Sequence, residues 1–173
     1  MLSVLKWLLL LPFQFGSTFA AWIVAPICPL FAHDYSLKGT WLWWATTPNT
    51  DLRGDPDHQA KYHYKNSYLQ QVHWVLRNPA VNFQREWIGY SVQIDDEYES
   101  IKKPLARGGE YRFETITALN KGRVVCWMVY LVWVYPFKTD KALRLLFGWK
   151  TWDIGVKDPL QYTARITLWK SVD

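Results

Sequence analysis

Three aspartates, an asparagine, a glycine and a histidine crowd into 46-TTPNTDLRGDPDHQ-59. Carboxylates beside an imidazole can hold a divalent cation or carry protons for hydrolysis. A calcium loop of the EF-hand type wants D-x-[DN]-x-[DN]-G and a bidentate Glu at its twelfth position. Counted from Asn49, Gly54 falls where that motif wants glycine, but the fifth position is Arg53 and the twelfth is Ala60. A cation there would meet a guanidinium and lack its last carboxylate, so the spacing argues against a calcium loop. A looser set of Asp55, Asp57, His58 and His63 has suitable donors, although Asn, Asp, Gly and Pro also gather in any polar turn. The candidate binding residues are therefore Asp51, Arg53, Asp55, Asp57 and His58, and neither a metal nor a cofactor is expected. The competing expectation is structural: an aspartate caps the following helix, or Arg53 pairs with a neighbouring carboxylate.

Elsewhere the signals for chemistry are sparse. There is no G-x-S-x-G, Walker motif, glycine-rich phosphate loop or zinc-finger spacing, and neither Cys28 nor Cys126 has an adjacent histidine. The two cysteines lie far apart in apolar surroundings, which argues against a disulfide or zinc site. His73 reads as structural. The run 61-KYHYK-65 can stack on bases or face lipid headgroups, and the second fits its neighbourhood better. No catalytic residue is expected, and nucleic acid is an unlikely partner at a net charge of only +5.

What must position such a loop is an aromatic-rich chain. Twelve Trp, ten Tyr and eight Phe make 17% of the 173 residues, and Trp and Tyr favour membrane–water interfaces. From Trp7 to Ala32 no residue is charged. A spanning helix needs about 20 apolar residues, so length permits a signal anchor or an embedded hairpin. A cleaved signal peptide and a buried helix are the alternatives. Pro12 is placed to kink this helix, and Pro26 and Pro29 to end it. Trp7, Trp22, Trp41, Trp43 and Trp44 are the candidate interface residues, with core packing as the other reading of the last three. The expected division is a membrane-anchoring segment, residues 1–35, and an aromatic-rich domain, residues 36–173.

Within that domain, 66-NSYLQQVHWVLRNP-79 reads as a short amphipathic helix capped by Asn66 or Ser67 and stopped at Asn78-Pro79. Its apolar face would carry Leu69, Val72 and Leu76, and its polar face Gln70, His73, Trp74 and Arg77. The rest reads as β. Strands are expected at 87–94, after which an acidic link leads to a turn at 107–109, and then at 110–119, 123–137, 141–152 and 161–169. The apolar run at 123–137 suggests a strand buried on both sides. The fold class is thus α+β: an N-terminal membrane helix or hairpin, one short amphipathic helix, and an antiparallel meander of four to five strands.

Four phrases, LKWLLLLPFQF at the N-terminus, 47-TPNTDLRGD-55 after its tryptophans, 74-WVLRNPAVNF-83 and 143-LRLLFGWKTWD-153, resemble a family of small uncharacterised phage and prophage proteins with a hydrophobic N-terminus. The resemblance covers most of the chain and implies viral origin and membrane association, but carries no catalytic residue. That family usually has an acidic residue after the Thr-Pro, where this chain has Asn49, and a polar tail past the last strand. The expected function is a non-enzymatic phage accessory protein anchored in the host inner membrane. It would present a β domain to a host or phage protein, in host takeover, superinfection exclusion or lysis support. A membrane-associated metal-dependent hydrolase using the acidic loop and a structural component of the virion are the alternatives. Membrane lipid and one protein are the expected partners.

Overall fold

The computed structural model describes residues 2–48, 51–62, 66–93, 96–104, 111–154 and 158–172. Asn49, His63, the 63–65 part of the basic-aromatic run and the expected turn at 107–109 lie outside them. The chain forms two compact units, one of residues 1–11 and 89–173 and one of residues 12–88.

Helix α1, Leu2–Val24, continues through Pro12. It ends where Pro26 enters a turn, and Pro29 then sits in the first turn of the four-residue helix α2, Cys28–Phe31. The end of α1 and the start of α2 both follow from the missing N–H and fixed φ of proline. In the 12–88 unit come a 3₁₀ turn, Trp43–Ala45, and helices α3 (Pro56–Tyr62), α4 (Ser67–Arg77) and α5 (Val81–Glu86). Their shared core includes Ala21, Ala25, Leu37, Leu42, Val72 and Val75. Asn66 caps α4 as its sequence predicts, its side chain accepting from the Tyr68 N–H at 2.8 Å.

The orientation of α4 differs from the expected one. Gln71, Val72, Trp74 and Val75 are buried, whereas Leu69 and Leu76 are exposed. Trp74, assigned by periodicity to the polar face, is only 4% exposed. The indole has the largest apolar area on the helix, so the helix turns to bury it at the expense of two leucines.

The other unit is built on a five-stranded antiparallel sheet in the order β1-β2-β3-β4-β5, the expected meander. Its strands are Asp96–Pro104, Tyr111–Asn120, Arg123–Tyr135, Lys138–Trp149 and Tyr162–Ser171. The first strand is a correction. The segment 87–94 is read as a strand from its apolar residues; its described part, 87–93, contributes one isolated bridge, Tyr90 to Leu160. The stretch read as an acidic link pairs instead, Glu97 opposite Leu119 and Glu99 opposite Thr117. An edge strand needs only one hydrogen-bonded neighbour, and charges on it discourage pairing with other chains. Strand β3 is also corrected: Cys126, Met128 and Val132 are fully buried on one face, while on the other Trp127 is half-buried and Trp133 is exposed.

The start of β1 is fixed by Asp96. Its carboxylate accepts from the Tyr90 hydroxyl at 2.7 Å, the Gln93 N–H at 2.8 Å and Asn120 Nδ2 at 3.1 Å. Partial burial pushes the Asp96 carboxyl up, but the hydrogen bonds outweigh it and hold the group below its ordinary value. The Tyr90 hydroxyl is pushed up by burial and by its bond to Asp96. In the middle of the sheet, Gly148 adopts φ +104°, and a Cβ there would lie 2.0 Å from the Trp127 carbonyl oxygen.

Two stability outcomes follow. Gly148→Ala is expected to cost more than about 3 kcal/mol, since neither the dihedral nor the β3 backbone can yield cheaply. Gly16→Ala, with nothing within 4 Å of the new Cβ, should be neutral or stabilising; urea unfolding in detergent measures both. Because the folded-state Asp96 carboxyl titrates low, it stabilises the fold above its unfolded value of about 4 and loses this contribution as pH falls through the lower folded value. Asp96→Asn should therefore be less stable than the parent at neutral pH, with the gap closing below about pH 4. A gap of constant size across that range would show that the ionised carboxylate is not the stabilising species.

Candidate functional site

The polar loop is built as a scaffold. Asp51 accepts from the Arg53 N–H at 2.9 Å, and its other oxygen pairs with the same residue's guanidinium, whose Nε lies 2.9 Å away. That bond and charge raise the Arg53 pKa further. The guanidinium carbon sits 4.6 Å from the centroid of the Tyr35 ring, and Leu52 N–H donates to the Tyr35 carbonyl at 2.7 Å. Asp55 caps α3, accepting from the His58 N–H at 2.8 Å ahead of Pro56 at the first helical position. Arg77 lies 3.5 Å from Asp55. Gly54 adopts φ +85°, and a Cβ there would meet the Trp74 ring at 2.5 Å and His58 at 2.8 Å, so both the dihedral and the space require glycine.

His58 is buried between the rings of Tyr62 and Trp74, with centroids at 4.6 and 5.1 Å. Its Nε2 lies 3.0 Å from the Gln70 carbonyl, an acceptor, so this nitrogen carries the proton and donates. Asp57 is exposed in the first turn of α3, where its charge favours the helix dipole. Of the five predicted residues, Asp51 pairs with Arg53 and Asp55 accepts from the His58 N–H, while the His58 ring turns to the Gln70 carbonyl and Asp57 points to solvent. Among the described residues, no three His, Cys, Asp or Glu side chains are placed to hold one metal ion. The dipeptide Asp55-Pro56, a cap followed by a first-turn proline, was the signal for α3.

The interface candidates divide. Trp7 is packed into the sheet unit: its ring lies 5.3 Å from Trp127, 5.8 Å from Phe147 and 6.0 Å from Tyr162. Its Nε1 donates to the Thr163 carbonyl at 3.2 Å, and the Tyr162 hydroxyl donates to the Trp7 carbonyl at 2.7 Å. Burial raises the Tyr162 pKa. Trp43 and Trp44 are half-buried, and the Trp43 carbonyl accepts from Asn82 Nδ2 at 2.8 Å. Trp22 and Trp41 are exposed, the latter edge-on to Phe31 at 5.9 Å.

Around these two lies the most distinctive surface of the protein. Helix α1 is long and apolar enough to cross a membrane, and only 17% of its most apolar window is buried. Its large side chains, among them Leu5, Leu9, Phe13, Phe15 and Phe19, are exposed, whereas Ser3, Gln14 and Ala21 are buried. The apolar surface continues through Ile27, Leu30 and Phe31. Beside it a groove of about 440 Å³ runs between Phe13, Gly16, Ala20, Trp44, Phe83 and Trp87. On a helical projection of residues 2–24 Ser3, Gln14 and Ala21 fall on one side, but in so uniformly apolar a stretch the sequence does not single that side out.

The scaffold reading distinguishes the loop's aspartates. Asp55→Ala, losing a cap, is expected to destabilise by about 1 kcal/mol, and Asp57→Ala by no more than about 0.5 kcal/mol. Thermal melts of the two variants in one detergent measure the difference; equal losses would remove Asp55 from its capping role.

No curated protein and no solved structure matches the chain. A family model does, over residues 1–172, and the chain belongs to that family, a family of unknown function (DUF7338).

Proposed function

We propose that the protein is a non-enzymatic accessory protein held at a membrane by α1, presenting its aromatic-rich sheet unit to a protein partner. The observation that supports this is the outward placement of the helix's large side chains. A helix of a water-soluble protein turns its apolar stripe inward and its polar residues out. Here Phe13, Phe15 and Phe19 face away from the protein while Ser3 and Gln14 face in. Leu9 is 66% and Phe19 63% exposed, an arrangement that costs free energy in water and none in lipid. Exposed Trp22 and Trp41 suit the headgroup level.

The resemblance to phage and prophage proteins supports a viral setting, with the host inner membrane as the place of action. The sheet unit supports a contact role, since Trp133, Phe137 and Trp169 are exposed at one of its ends. Host takeover, superinfection exclusion and lysis support all need such a contact, and a pull-down from detergent extracts identifies the partner.

The anchoring is tested by flotation with lipid vesicles. The full chain is expected to float, and Phe19→Glu to weaken binding by roughly thirtyfold, the equivalent of about 2 kcal/mol for one withdrawn phenyl ring. Recovery of the parent protein in the soluble fraction without detergent would end this reading.

A further inference from the structure

We infer that the groove beside α1 holds one acyl chain of a membrane phospholipid. The inference rests on the membrane reading above and names what fills this part of the surface. All the residues concerned lie in the 12–88 unit.

The groove is built before any occupant arrives. Its floor is a stretch of α1 with little side chain: Gly16 has none, Ala20 one turn on has a methyl group, and a Cβ added at Gly16 would meet nothing within 4 Å. The facing wall is aromatic. It consists of Trp44 from the 3₁₀ turn, with Phe83 and Trp87 from α5 and its C-terminal end, the last two stacked at 5.4 Å. Three hydrogen bonds clamp the two parts of this wall together. The Ala80 N–H donates to the Ala45 carbonyl at 2.9 Å, the Asn82 N–H to the Thr46 carbonyl at 2.8 Å, and Asn82 Nδ2 to the Trp43 carbonyl at 2.8 Å. Trp44 and Phe83 also pack against the core that encloses Ala21 and Ala25, so floor and wall share one support. Ligand sites are commonly preformed in this way.

The lining favours an apolar occupant. Among the described residues that line the groove none is charged, and the hydroxyl of Ser17 already donates to the Gln14 carbonyl at 3.0 Å. The dimensions then choose among apolar occupants. From Pro12 to Ala20 the helix rises about 12 Å, at about 1.5 Å per residue. Spread over that length, a volume of about 440 Å³ gives a cross-section of roughly 40 Å², about half that of a helix about 10 Å across. The body of a helix does not fit, whereas an extended hydrocarbon chain does. The supply of such chains lies alongside: Phe13, itself part of the lining, is exposed with Phe15 and Phe19 on the outward side of the same helix, the side that the membrane reading places in lipid. An empty apolar groove costs free energy in water, and a chain drawn in from the surrounding leaflet covers it.

The test uses the full chain in vesicles of phosphatidylcholine or of phosphatidylglycerol with the same palmitoyl and oleoyl chains. The protein is floated, extracted in a mild nonionic detergent and weighed by native mass spectrometry. The expected result is one phospholipid retained per chain, to the same extent for either headgroup. Gly16→Leu, which puts an isobutyl group into the open space, is expected to float like the parent while retaining lipid roughly tenfold less. Phe15→Leu, exposed but outside the groove, should retain it fully. Circular dichroism checks that both variants are folded. A parent that floats without retained lipid, retention that follows the headgroup, or retention undiminished in Gly16→Leu overturns the acyl-chain site and leaves the membrane reading intact. A pair of chains that Gly16→Leu separates would give the groove to a second copy and overturns the site as well. Failure of the parent to float overturns the membrane reading and the acyl-chain site with it.

Discussion

A helix that buries Ser3, Gln14 and Ala21 and leaves most of its large apolar residues outside constrains almost everything else in this protein. Ala21, with Ala25 and Cys28 just beyond the helix, is fully buried, and the three belong to the core of the 12–88 unit. Trp7 is the exception on the packed side, and it enters the sheet unit as a core residue enters a core: ringed by aromatics, with its indole N–H satisfied. The outward leucines and phenylalanines contribute nothing to either interior. Their burial requires a surrounding medium as apolar as themselves, which is why the helix carries the functional reading.

The sheet unit solves a different problem, that of an antiparallel sheet rich in Trp and Tyr. Trp149 is completely buried and meets Trp127 and Tyr162 edge-on, at 6.5 and 5.7 Å, the geometry that the quadrupoles of aromatic rings favour. Gly148 lets β4 come against the Trp127 carbonyl beside this cluster. On the other face the 3₁₀ turn Thr151–Asp153 places Trp152 against Tyr130 at 5.6 Å. The charged first strand closes the series, tied at its start by the hydrogen bonds converging on Asp96.

The residues that look most like chemistry also carry local geometry. Asp51 and Asp55 are short carboxylates four residues apart, and each accepts from a backbone N–H two or three residues further on. That is the local competition for hydrogen bonds that makes aspartate a turn and cap residue. His58 and Gly54 are there because Trp74 lies over the loop: the glycine makes room for the indole, and the imidazole packs against it while bonding the Gln70 carbonyl. A loop anchored in this way holds α3 against α4, and its composition follows from that task.

The amino-acid order by itself determined whatever depends on neighbours along the chain. It marked the long apolar helix and the prolines that end it, the cap and stop of α4, and the strands β2 to β5 from their alternation and turns. It did not determine which residues face which way. Trp74 is buried and Leu69 exposed because the helix rotates to hide the larger apolar surface, which depends on what the fold puts opposite it. The acidic segment at 96–104 is a strand because β2 offers an unpaired edge, while among the described residues of the more apolar 87–94 segment only Tyr90 forms a bridge. The outward face of α1 was the least visible of all. In a stretch where nearly every residue is apolar, hydrophobicity cannot choose a side, and only the packing of Ser3, Gln14 and Ala21 against the rest of the chain decides it.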